Sequence, residues 1–113
     1  MTLTEEERWE EARRAVVRRW RTTLDRVEAR DEIGTLQIVN TTDEFCREAM
    51  RLRSAAGEPA SGSRCLYCRE FVESGGCLGI VGALNHLVLN GGWELAARLV
   101  RERIAALEAS ERA

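Results

Sequence analysis

The sequence predicts an all-α fold: a small antiparallel helical bundle of three long helices plus shorter ones, with a Cys-rich connector. Three observations carry this. Ala, Leu, Arg and Glu dominate, β-branched runs are few, and Pro59 is the only proline; that composition favours helix over strand. Apolar residues recur at steps of three and four over long segments, which is the helical period. Gly-rich runs fall between those segments as turns. The 113 residues are enough for one modest core, so residues 1–113 are expected to form a single helical domain.

The first helix is expected over residues 4 to 30. Thr4 suits an N-cap, and Glu7 three places on completes a capping box. Glu5, Glu6 and Glu7 occupy the end where the helix dipole favours negative charge. Trp9, Ala12, Val16, Trp20, Leu24 and Val27 line one face, as core or as a docking stripe. Residues 31 to 41 read as a packed connector, because a lone strand would have no partner. Thr41 or Thr42 is then expected to cap a second helix, about 43 to 55, with Phe45, Ala49 and Leu52 as its stripe.

Residues 56–77 form the Gly/Ser/Pro loop and the Cys-rich segment, with a short helix expected from Leu66 to about Glu73. A third helix, about 78 to 90, is apolar nearly all round, which places it in the middle of the bundle. Asn90-Gly91-Gly92 makes a turn into a last helix from Trp93 to Ser110. So short a turn makes the two helices antiparallel neighbours. Trp93, Ala96, Val100, Ile104 and Leu107 form a heptad-like seam, intramolecular or a homodimer face through the last helix.

Composition removes several function classes. Hydrophobic residues make up 44% and charged residues 32%, a globular profile that excludes general disorder. Seventeen basic residues face nineteen acidic ones for a net charge of -2, so whole-chain charge gives no reason to favour nucleic acid as partner. Every basic residue is Arg, which removes lysine chemistry. The most apolar stretch, Cys77 to Leu89, is too short to span a bilayer, so no membrane association is expected. With no apolar leader at the N-terminus, the expected location is cytoplasmic. Phosphate loops, nucleophile elbows and paired Glu-x-x-His motifs are absent, and there is a single His. The chain is therefore not expected to be an enzyme.

The cysteines carry the chemistry. Cys46, Cys65, Cys68 and Cys77 follow the pattern C-x18-C-x2-C-x8-C. The Cys65-x-x-Cys68 pair places two sulfurs on one side of a tight turn, where one ion or cluster can hold both. Zinc wants four thiolate or imidazole ligands in a tetrahedron, and an iron–sulfur cubane wants four thiolates. The four cysteines are read as the metal ligands, with Zn2+ slightly favoured over an iron–sulfur cluster. His86 is the alternative fourth ligand or an outer hydrogen-bonding group. Nine residues from Cys77, it stands about 900° and roughly 13 Å away on a straight helix, so a buried histidine bonded to a carbonyl is the preferred reading.

Between residues 12 and 30 there are seven Arg and two acids. Arg13, Arg14, Arg18 and Arg21 are the candidate partner-binding face, more simply a solvated surface. The reading is a small metal-binding helical protein that serves as a regulatory or protein-interaction module, with another protein as partner. A thiol or iron–sulfur redox sensor or electron carrier, and a structural helical subunit with inert thiols, are the alternatives.

Overall fold

The computed structural model describes residues 2–57 and 78–109. These residues form five helices and, among them, no strand: α1 (Glu5–Glu28), α2 (Glu32–Val39), α3 (Glu44–Ala55), α4 (Leu78–Leu89) and α5 (Trp93–Ala109). The three helices expected to be longest are present as α1, α4 and α5, at 24, 12 and 17 residues. The loop from 58 onward, the short helix expected at Leu66, Cys65, Cys68, Cys77 and the last helix's predicted end at Ser110 lie outside the described residues.

The start of α1 follows the capping box. Thr4 Oγ1 accepts the Glu7 amide at 3.1 Å, and Glu7 Oε1 accepts the Thr4 amide at 2.8 Å. The bond from the Thr4 backbone, then that with its hydroxyl, holds the Glu7 carboxyl below its ordinary range. The cap therefore contributes above the usual carboxylate pKa and is lost as pH falls through the lowered one.

At its other end α1 turns directly into α2. Arg30 adopts a left-handed φ of 54°. Its amide bonds Val27 O at 3.0 Å, and the Asp31 amide bonds Arg26 O at 2.9 Å, which is a Schellman closure. Asp31 then starts α2: its carbonyl accepts the Thr35 amide, and its carboxylate accepts the Gly34 amide at 2.9 Å. Arg26 reaches across the corner to donate to Gly34 O at 2.9 Å. This corner corrects the expectation of a packed connector over 31–41. The Asp31 cap satisfies an orphan amide of the first turn, and the Arg26 bond ties α2 to the end of α1, which together make a helix of only eight residues viable. The expected cap of α3 also shifts: Asp43, and not Thr41 or Thr42, accepts the Cys46 amide at 2.9 Å.

The packing falls into two compact units. One holds α1 as far as Val16 together with α3. Here Trp9, Val16, Phe45 and Ala49 are buried, and the Trp9 and Phe45 rings tilt together at 5.9 Å between centroids. Burying a side chain such as Val16 or Phe45 contributes about 1.5–3 kcal/mol.

The other unit holds α1 from Val17, with α2, α4 and α5. Trp20, Val27, Val39, Leu84, Val88, Val100, Ile104 and Leu107 are buried in it. Arg21 pairs with Glu108 and Arg101 with Glu28. The pairs are seven residues apart on each helix and in opposite order, so this part of α1 runs antiparallel to α5. An amide pair joins α2 to α4: Asn40 Nδ2 donates to Asn85 Oδ1 at 2.8 Å, and Asn85 Nδ2 returns the bond at 3.0 Å.

The turn between α4 and α5 is a second Schellman closure. Gly91 has φ 76°, and the Gly92 amide bonds Leu87 O at 2.7 Å. The burial expected for α4 is corrected. Leu84 and Val88 are buried, but Leu89 is 62% exposed. α4 packs chiefly against α2 and α5, and two neighbours cover a stripe of a helix rather than its circumference.

Two hydroxyls inside this unit contrast. Thr23 Oγ1 donates to Arg19 O at 2.9 Å. Thr35 Oγ1 is buried with no hydrogen-bond partner among the described residues.

Three outcomes are expected from this geometry. Asp31→Ala should cost about 1 kcal/mol of unfolding free energy through loss of the cap. Gly34→Ala should bring none of the gain of about 1 kcal/mol that Ala usually gives over Gly in a helix, because its Cβ would lie 2.1 Å from the Asp31 carboxylate. Arg30→Gly should raise stability by about 0.5–1 kcal/mol, since glycine adopts the left-handed region without a Cβ clash. Urea titrations of the three variants measure this; a stabilising Gly34→Ala or a destabilising Arg30→Gly would contradict the corner as described.

Candidate functional site

Cys46 is the one predicted ligand that falls within the described residues. It sits in the first turn of α3, half-buried. The bond from its amide to Asp43 and the burial of its neighbour Phe45 fix where the helix carries it. Its position is thus set by a cap on one side and a ring contact on the other. Among the described residues no group of three or more His, Cys, Asp or Glu side chains is placed to hold a metal ion.

His86 is exposed on α4, which corrects the expectation of a buried histidine. Asn90 folds back over it: Asn90 Nδ2 donates to His86 O at 2.7 Å and lies 3.5 Å from Nδ1 of the ring. The cause is the same as for Leu89. The buried stripe of α4 passes through Leu84 and Val88, and position 86 turns away from it.

The four arginines of the predicted partner face divide. Arg13 is largely covered and bonds Glu10 at 3.3 Å one turn back. Arg21 is engaged by Glu108 of α5. Arg14 and Arg18 are exposed on successive turns of α1. Sequence spacing alone could not separate these roles, because Glu108 is 87 residues from Arg21.

The tryptophans of α1 are core rather than a docking stripe, with Trp9 1% and Trp20 5% exposed. The seam on α5 is filled inside the chain at Ala96, Val100, Ile104 and Leu107, which are buried, while Trp93 at its start is half-buried. A homodimer through the last helix would have to use another face of it. No helix among the described residues is long and apolar enough to cross a membrane.

The described residues line several open clefts, of which two join separate helices, each within one unit. One of about 320 Å³ lies between α1 and α3, with Leu3, Ala12 and Ala15 among charged residues. The other, about 280 Å³, lies beside Trp93. Neither gathers a pair of groups suited to proton transfer or nucleophilic attack. Sequence reasoning pointed to neither cleft, because both are made by residues distant in the chain.

No protein-family model, curated protein or solved structure matches this chain.

The division of the arginines has a direct check. Arg21→Glu should lower stability by up to about 1 kcal/mol, the range of an exposed ion pair. Adding Glu108→Arg should restore most of the loss. Arg14→Glu and Arg18→Glu should each stay within about 0.5 kcal/mol of the parent. A double-mutant cycle read by thermal unfolding decides it; no coupling between positions 21 and 108 would contradict the assigned pair.

Proposed function

We propose that this chain is a small metal-binding helical protein with a four-cysteine site, and that it acts as a regulatory or protein-interaction module. The observation that carries the reading is the cysteine spacing, with three thiols in the thirteen residues from Cys65 to Cys77 and Cys46 upstream. Four thiols match the tetrahedral demand of zinc, which is the preferred ion; an iron–sulfur cluster has the same donor number. The placement of Cys46 in the capped first turn of α3 supports its use as a ligand, since a fixed and half-covered sulfur loses little freedom on binding.

The physical role follows from that donor set. An ion held by Cys46 and the Cys65–Cys77 segment ties α3 to a stretch rich in Gly and Ser. Its binding energy then becomes folding energy. Such a tie would add to what the core of a chain this small contributes. Four reduced thiols suit a reducing compartment such as the cytoplasm. His86, exposed on α4, is the substitute donor if Cys46 is not used.

The partner surface in this reading narrows to Arg14 and Arg18. They are exposed and their guanidinium groups are not engaged by α5, unlike that of Arg21. An acidic protein surface is the complementary chemistry.

Elemental analysis of anaerobically purified protein tests the proposal. The expected result is a colourless protein carrying about one zinc per chain. Cys68→Ser should lower metal content and melting temperature together, while Arg14→Glu should change neither. A brown protein rich in iron and sulfide would keep the four-thiol site and change its occupant. Unaltered metal content and melting temperature in Cys68→Ser would overturn the ligand assignment. Metal-free protein whose thiol count falls under mild oxidant would replace it with a disulfide switch.

A further inference from the structure

We draw no further inference here: the strongest candidate, the cleft beside Trp93 at the start of α5, is lined by Arg30, Glu94 and the Glu28–Arg101 ion pair, and each of these charges is already accounted for by the helix end or the partner it sits beside, so nothing in the structure selects a ligand for it.

Discussion

The apolar stripe of α1 is the constraint on which the rest depends. Trp9, Val16, Trp20 and Val27 lie along it and are at most 5% exposed. An isolated helix of this length is marginal in water, and most helical stability in proteins comes from covering such a stripe. The first half of the stripe is covered in the unit that contains α3, and the second in the unit that contains α2, α4 and α5. Those later elements are short, or carry weak stripes of their own. α2 has eight residues and α3 and α4 twelve each. They gain helical structure by packing where α1 and α5 offer apolar surface.

Helix ends do the second part of the work. Three helices close with a left-handed residue, at Arg30, Gly57 and Gly91. At Arg30 and Gly91 the closure satisfies orphan carbonyls and passes the chain into the next helix within two or three residues. At Asp31 one residue serves both neighbours: its amide ends α1 while its carbonyl and carboxylate begin α2. The compactness of this corner explains why Arg26 can reach Gly34 O, and why a residue other than glycine is held in the left-handed region at position 30.

Charge is arranged around these features. Of the arginines between residues 12 and 30, Arg13, Arg21 and Arg26 each bond a carboxylate or a carbonyl. A face that looks uniformly basic in the sequence is therefore divided, with Arg13, Arg21 and Arg26 engaged within the fold and Arg14 and Arg18 exposed. The exposed pairs to α5 contribute little each, but their opposite order along the two helices records an antiparallel register. The cysteine cluster belongs to a different layer of the problem. The number of cysteines and the tight Cys65–Cys68 step are facts of the sequence, and the capped first turn of α3 gives Cys46 a defined place on that helix.

Local and periodic features were determined by the sequence alone. The Thr4 capping box, the stripe of α1, the Gly91 turn and the extents of α1, α4 and α5 to within a residue or two depend on hydrogen bonds a few residues apart and on a period of 3.6. The cysteine spacing was legible for the same reason, although convergence of four sulfurs is a statement about space that spacing does not make. The short helix α2 was missed despite its Asp31 cap, because eight residues around a glycine hold too little periodicity to announce a helix. Only the tertiary structure decided that α4 buries one stripe rather than all sides, that the α5 seam is filled from within, and that Arg21 is taken by Glu108 while Arg14 and Arg18 stay exposed. Each of those outcomes depends on contacts between residues far apart in the chain, and a one-dimensional pattern shows which face is apolar without showing what will cover it.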